Sequence, residues 1–588
     1  MTSPSTRGDD WSDLARRRLG QGDGRGAITC FRKALALQPG DAHALNDFGI
    51  AMKQAGDPTG SARSYLRSHA VDPNDAAPLN NLANVLAMSG DRAAACRILR
   101  DTLRRFPWFA EGHQNLGDHL RHLKQLDEAA TAIRTALVLK PDLVASHVTA
   151  GATALTLGDI PPAISAFRRV LALAPSAAAH SDLLLTLTYD GTISGDALFD
   201  EHVRWARRYA PEEASSPPPR IVGDFSQRKL RVGYLSADLR DHPVARNLIG
   251  LIEGHDRDRF SVTIYPELTA QDAVTERFRS LADRWHPTQG LSDAALAGMV
   301  LRDQIDVLVF VAPHTGANRV TVAAYGAAPV QAALFGVTTT GIPRIDAWLT
   351  DDVLHPGDTR ERFVEKLVRI PNLYIYEPPP AALPPPRAGD TVVFASFNNP
   401  AKHAPEVYRL WAGILRATKN TALRLKYRGV YQTPSLRRRI GDIFASHGVD
   451  PGRLQFVAEM ESRNDHLANL AEVDIALDPF PFNGCNTTLE ALWMGIPVVT
   501  RAGDRFLSRM GASFLSRIGL PELIAADDEG YVAAAVALAA DTARRTELRL
   551  GLRERMSKSL LCDPMAYARS IEAAYVALCH DKSRSGAA

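Results

Sequence analysis

The chain has little cysteine: five in 588 residues, Cys30, Cys96, Cys485, Cys562 and Cys579, an odd number with no CxxC pair. That argues against a disulfide framework and against a zinc-finger type of site. Four of the five read as small core residues; Cys485 falls in a motif described below. No stretch approaches the roughly 20 uncharged apolar residues that cross a bilayer. The opening MTSPSTRGDDWSDLARRR has no apolar h-region, so the expectation is a cytoplasmic protein without a secretory signal or membrane partner. Charge of one sign is also missing. The 68 basic and 66 acidic residues leave a net +2, without the clustered basic excess of a nucleic-acid binder. Hydrophobic content of 45% with 23% charged residues is ordinary for globular protein. The length predicts several domains.

What the chain does have is a 34-residue beat. Pro39, Pro73, Pro107, Pro141 and Pro175 recur at that spacing, and Gly22, Gly56, Gly90 and Gly158 precede Asp23, Asp57, Asp91 and Asp159 in the same register. Only Lys124 breaks the glycine row. Ala27, Ser61, Ala95, Ala129 and Ala163 hold a small-residue slot, with Phe31, Tyr65, Leu99, Ile133 and Phe167 four residues on. This is the grammar of tetratricopeptide repeats: small residues let paired helices approach, large ones fill the gap, and Pro stops the second helix. Five repeats over residues 8–177 predict a right-handed α-solenoid whose concave face docks a protein or peptide partner. Residues 178–228 continue as a helical bridge, then break at EEASSPPPR.

From residue 229 the pattern changes. LRVGYLSADL, FSVTIYPE and IDVLVFVAP read as buried strands separated by amphipathic helices, and after EPPPAALPPPR the same alternation resumes with TVVFASF, ALRLKY, LQFVAEM, VDIALDP and PVVTRAG. This predicts two Rossmann-like α/β lobes, residues 229–378 and 388–582, each a parallel sheet covered on both faces. Ligands in such sheets bind at the carboxyl ends of the strands and between lobes.

The strongest local signal spans residues 473–500, VDIALDPFPFNGCNTTLEALWMGIPVVT. A strand ends at Asp478, a loop follows, and Asn486, Thr487 and Thr488 open a helix whose free amides form an anion site. Asn486 or Thr487 also suits a plain N-cap. Glu490, one turn in, can accept from ribose hydroxyls. In ASFNNPAKHAPEV, Asn398 and Asn399 stand at a strand end and Lys402 follows, a cation able to neutralise a departing diphosphate. His466, in ESRNDHLANLAEVDIAL, precedes a helix that leads into the strand ending at Asp478. In the first lobe, SADLRDHPVARNL sets Asp238, Asp241 and His242 beyond the first strand, where a His can serve as general base. PHTGANR adds His314, Thr315 and Asn318, and residues 338–341, Thr339 among them, are expected to line the cleft. A D-x-D match occurs only at Asp256 and Asp258, ahead of a strand, so no metal site is expected.

Together GYLSADLRDHP, PVQAALFGVTTTG, SFNNPAKHAPEV, DIALDPFPFNGCNTTLEALWMGIPVVT and RFLSRMGASFL resemble glycosyltransferase family 41, the O-linked N-acetylglucosamine transferases and their SPINDLY-type relatives. The resemblance covers nearly the whole chain. It implies two lobes of the GT-B type and inverting, metal-independent transfer of a sugar to Ser or Thr of a protein. The implied donor is a nucleotide sugar, UDP-N-acetylglucosamine first, with no further cofactor. Residue by residue it implies a base at His242, donor contact at Asn399, the family's essential lysine at Lys402, a uridine neighbour at His466, the diphosphate loop at Thr487 and Thr488, and a ribose ligand at Glu490. The chain departs from the family at Cys485 and Asn486, where animal enzymes carry His then Thr and many bacterial relatives Gly then Thr. VAPHTGANR also lacks the acidic strand-end residue of relatives with DLSGHT. These departures keep O-fucosylation, N-glucosylation and an inactive scaffold as alternatives, and the oligomeric state stays open.

Overall fold

The computed structural model describes residues 4–210, 219–225, 227–379, 389–458 and 462–585. Most of the two Pro-rich breaks and the end of LQFVAEM lie outside the described residues. By contact the chain forms two compact units, Met1–Ala154 and Leu155–Ala588.

The first unit is helix after helix: Pro4–Gly20, Gly24–Leu37, Ala42–Gln54, Pro58–Val71, Ala77–Met88, Arg92–Arg105, Ala110–His122 and Leu126–Leu139, then most of Val144–Thr156. The predicted slots are its core, since Ala27, Ser61, Ala95 and Ala129 are fully buried and Phe31, Tyr65, Leu99 and Ile133 pack on them. A second small column went unread in the sequence: Ala15, Gly49, Ala83 and Gly117, on the first helix of each pair. A Cβ on Gly49 or Gly117 would lie 2.5 Å from the Tyr65 ring or 2.6 Å from Ile133, so the large slot presses against this column. The turn glycines Gly22, Gly56 and Gly90 take positive φ, and Lys124, which breaks their row, is forced to φ 62° as well. Repeat geometry overrides the residue's preference.

The second unit begins inside the last repeat. Its second helix, Ile160–Leu173, and the bridge helices Ala177–Thr188 and Gly195–Tyr209 fold with the two lobes. The first lobe is a seven-stranded sheet of β1 (Leu230–Ser236), β2 (Phe260–Pro266), β3 (Arg284–Trp285), β4 (Val307–Val311), β5 (Val330–Leu334), β6 (Ala347–Asp351) and β7 (Lys366–Ile370), in the order β3-β2-β1-β4-β5-β6-β7. The second has β8 (Val392–Ser396), β9 (Thr421–Leu425), β10 (Leu454–Phe456), β11 (Ile475–Leu477), β12 (Val498–Arg501) and β13 (Ile524–Ala525), in the order β10-β9-β8-β11-β12-β13. Every pairing in both sheets is parallel. The fold class is therefore the expected α-solenoid followed by α/β lobes.

Two boundaries differ from the sequence reading. Bridge residues Leu184, Trp205 and Ala206 sit in one apolar core with Leu235, Phe310 and Trp348 of the first lobe, so the bridge is part of that lobe's packing. The last helix, Pro564–Ser585, assigned by sequence to the second lobe, reaches back to the first. Its Glu572 accepts from His255 Nδ1 at 3.0 Å, and the Tyr234 hydroxyl meets His255 Nε2 at 2.7 Å.

Candidate active site

β8 delivers Asn398 and Asn399 to its carboxyl end, and a short turn, Pro400–Lys402, follows. The Asn399 side chain caps that turn, accepting from the Ala401 amide at 3.1 Å. Facing it is the loop after β11, with a cis Phe480–Pro481 bond. The two loops join edge to edge through an antiparallel bridge between His403 and Pro481, with Ala404 N donating to Phe480 O at 3.2 Å.

Across this seam Lys402 Nζ donates to the Asn483 carbonyl at 2.7 Å and lies 4.1 Å from the centre of the Phe482 ring. Burial pulls the ammonium's pKa down to about 8, with Cys485 and Asp478 opposing the fall. Asn483 is itself fixed: fully buried, it donates from Nδ2 to Pro479 O at 2.7 Å. The next residue, Gly484, is where the backbone must come close. A Cβ there would stand 2.3 Å from Thr488 Oγ1 and 2.7 Å from Thr487 Oγ1. Thus the carbonyl that Lys402 holds is one residue from the glycine on which both threonine hydroxyls converge.

The Asn486–Trp493 helix starts here with no side-chain cap from Cys485, leaving its opening amides to an anion. Thr487 Oγ1 donates to Asn398 Oδ1 at 2.9 Å. Asn398, rather than Asn399, thus binds the Thr loop to the Lys loop; β8's alternation offered both asparagines, and only the tertiary pairing chooses. Beneath, the buried Asp478 carboxylate accepts from Gly484 N at 2.7 Å and from Thr500 Oγ1 at 2.8 Å. Burial raises its pKa to about 6. Burial likewise pushes the Cys485 thiol up to about 12, so it is a neutral wall residue.

His466 lies within the first turn of the Arg463–Ala471 helix, where the sequence reading had it just ahead of one. It accepts from Lys426 Nζ on Nδ1 at 2.6 Å and faces Glu490 Oε2 from Nε2 at 3.1 Å. A lysine only donates, so the ring proton sits on Nε2. Glu490 is buried, with Arg246 of the first lobe 3.6 Å from its Oε1. Asn486 also crosses between lobes. Its Nδ2 donates to Pro243 O at 3.2 Å and its Oδ1 accepts from Asn247 Nδ2 at 3.2 Å.

That crossing brings the first lobe's candidate base to the site, because Pro243 follows His242. The imidazole is about one-third exposed, with Nδ1 3.3 Å from Val244 N and 3.6 Å from Asp238 Oδ1. Burial lowers its pKa, and Asp238 acts against that shift. Asp238 is oriented by Asn318, whose Nδ2 donates to Oδ2 at 3.0 Å. Nδ1 accepts from the Val244 amide and so caps the helix that follows, while the Asp238 carboxylate stands beyond hydrogen-bond reach of the same nitrogen and acts on the imidazole through its charge.

Two expected residues are not in this group. His314 is buried under the bridge: Nε2 donates to Thr340 O at 2.8 Å, and the ring lies edge-on to Trp205 at 4.4 Å. Burial lowers its pKa to about 3. Thr339 turns inward, its hydroxyl donating to the buried Glu365 at 2.6 Å. Gly341 abuts the bridge backbone, where a Cβ would stand 2.3 Å from His202 O. The bridge covers the carboxyl ends of β4 and β5, so polar side chains there satisfy buried groups instead of facing the cleft. Asp256 bonds within its own turn, accepting from Asp258 N at 3.1 Å. The RFLSRMGASFL segment joins the lobes: Arg509 Nε donates to Val353 O at 2.7 Å and Ser513 to Asp351 at 2.8 Å.

Two parallel-sheet lobes, with a lysine and an uncapped helix start on one and an imidazole on the other, define a two-lobed fold of the GT-B type. The sequence model for glycosyltransferase family 41 matches residues 219–377 and 385–571, and tetratricopeptide repeats match residues 12–80 and 80–143. The chain belongs to glycosyltransferase family 41. It is 33% identical over 413 residues to a protein of Solanum lycopersicum named probable UDP-N-acetylglucosamine–peptide N-acetylglucosaminyltransferase SPINDLY, covering 68% of this chain and 44% of that one. A like-named SEC protein of Arabidopsis thaliana is 28% identical over 377 residues, 61% of this chain and 38% of that one. The chain thus spans less than half the length of these curated relatives. Among solved structures, a mutant O-GlcNAc transferase of Thermobaculum terrenum is similar with a TM-score of 0.78 and 32% identity, covering 93% of this chain and 98% of that chain.

Proposed function

We propose that the protein is an inverting, metal-independent glycosyltransferase that moves N-acetylglucosamine from UDP-N-acetylglucosamine to Ser or Thr of a protein presented by the repeats. The observation that carries this is the Lys402 ammonium on the Asn483 carbonyl, one residue from the Gly484 turn where Thr487 and Thr488 meet. A buried cation beside an uncapped helix start suits a diphosphate. The names of the relatives support the sugar and the acceptor class.

In the reaction the acceptor oxygen attacks the anomeric carbon while the bond from that carbon to the diphosphate oxygen breaks. The hydroxyl proton passes to His242, and the electron pair leaves with the nucleoside diphosphate. Lys402 and the amides of the Asn486–Trp493 helix stabilise that growing charge. Glu490, held by His466, takes the ribose hydroxyls. No step requires a metal, because fixed cation and dipole supply the positive charge. The repeats' acceptor role and a cytoplasmic location belong to the same proposal.

Purified protein supplied in turn with labelled UDP-N-acetylglucosamine, GDP-fucose and UDP-glucose tests this. Transfer from the first alone is expected. Transfer from GDP-fucose instead would replace the donor assignment, and neither transfer nor hydrolysis from any would overturn the reading.

A further inference from the structure

The Lys402 loop has a second wall that the sugar-transfer chemistry does not explain. Ala401, next to Lys402, is 1% exposed and belongs to an apolar cluster with Ile160, Phe167, Leu183 and Leu187 of the last repeat and bridge. Gly158, with φ 73°, faces Pro400 so closely that a Cβ would stand 2.7 Å from its carbonyl oxygen. Beyond the bridge helix, Tyr189 stacks on Phe482 with centroids 5.1 Å apart and planes 17° from parallel. Phe482 is the ring against which the Lys402 ammonium rests. Arg439 anchors the same turn by pairing with Asp159 and the Leu157 carbonyl.

We propose that the last repeat and the bridge are a working part of the active site, with Tyr189 and Phe482 as positioning residues that hold the Lys402 ammonium toward the diphosphate. The physical argument is one of constraint. A lysine on four rotatable bonds keeps one position only if its surroundings leave no other. Here the Asn483 carbonyl fixes the head, the Phe482 face attracts it, and Tyr189 blocks that ring from swinging away. Excluding water at this point strengthens the attraction between Lys402 and a leaving diphosphate. The same stack ties the last repeat to the lysine, so strain in that repeat reaches the reacting centre through three side chains in contact.

This inference rests on the role given to Lys402, so its test reads the lysine directly. Competitive labelling of amines across pH, followed by mass spectrometry of the Lys402 peptide in the full chain, gives that residue's titration midpoint without turnover. In the unaltered protein the midpoint falls near 8. Tyr189→Leu, which keeps apolar volume, admits water and moves it up by about one unit; Phe482→Leu also loses the ring's attraction for the cation and moves it less; Tyr189→Phe keeps the stack and restores it. In transfer assays both leucine variants lower kcat about ten-fold with donor KM within about two-fold, as expected for an interaction made in the transition state. A folded Tyr189→Leu protein whose Lys402 midpoint equals that of the unaltered protein would overturn the proposal. Undiminished activity in Lys402→Ala would instead remove the sugar-transfer mechanism and leave the labelling result to judge the stack.

Discussion

The two lobes share one architecture, a parallel sheet with helices on both faces, yet use the carboxyl ends of their strands differently. In the second lobe the loops after β8 and β11 face each other and bond to one another, Lys402 to the Asn483 carbonyl and Thr487 to Asn398, beside a helix start that no side chain caps. In the first, the loops after β4 and β5 are roofed by the bridge: His314 lies edge-on to Trp205 of the bridge and bonds the Thr340 carbonyl, and Thr339 turns inward onto Glu365. The loop after β1 meets the second lobe, where Pro243 O accepts from Asn486, and carries His242 there. A strand end is therefore a site by default only where no other element covers it, and a helical domain docked on one lobe shifts the chemistry to the other.

Removing the second lobe's cation should have the largest effect. Lys402→Ala is expected to lower kcat by about 10²- to 10³-fold, about 3 to 4 kcal/mol of barrier, measured as initial transfer rates. In the unaltered protein kcat/KM, which reports the free enzyme, should fall as pH rises through about 8 and the ammonium loses its proton. Equal rates in variant and parent would erase the distinction between the lobes.

Next comes the roof. His314 is buried neutral with its pKa lowered to about 3, against about 6.5 unfolded. The depressed value means the unfolded chain takes up the proton first as pH falls. Its contribution is therefore complete above about 6.5 and shrinks as pH drops toward 3, by about 3 kcal/mol between pH 6.5 and 4. His314→Asn, which suits the residue's φ of 61°, should flatten that acid limb by one proton in denaturant titrations at several pH values. An unchanged slope would mean the bridge does not bury this ring in solution.

The contacts between lobes are weaker. Asn247→Ala removes one bond between the lobes and Asn486→Ala removes two, at a net of about 1 kcal/mol each, and donor KM should rise about five-fold in the first and further in the second. The double variant should exceed the larger single effect only slightly, since the two side chains bond each other. Full additivity in steady-state kinetics would show that they act apart.

Smallest is a change outside both lobes. Lys124→Gly relieves a left-handed non-glycine residue and should stabilise the repeat unit by about 0.5 to 1 kcal/mol, read as a rise in its thermal midpoint with transfer unchanged. A fall would mean Lys124's side chain supports the turn more than its backbone strains it.

Much of this was legible in advance because much of it is local. The repeat columns, the strand and helix alternation and the Asn486–Trp493 helix start all follow from periodicity and spacing, which the chain carries within a few turns of itself. The short edge strands β3 and β13 left no such signal, being two residues each. Cys562 is half-buried where a core residue was expected, while Cys30, Cys96 and Cys579 are buried. Lys402 and Thr487 were legible as candidates, but their convergence through Asn398 and Asn483 was not. Those partners are ordinary asparagines until the loops after β8 and β11 meet.

The sequence by itself settled that helical repeats precede two parallel-sheet lobes, and which residue types stand at the strand ends, since burial patterns and turn residues act over short range. Tertiary structure alone decided which of those ends remain open, that Asn486 spans the lobes, and that Tyr189, some 200 residues before Lys402, shares its aromatic wall. Packing joins groups that the chain keeps far apart, and no local pattern records which distant surface will cover a given loop.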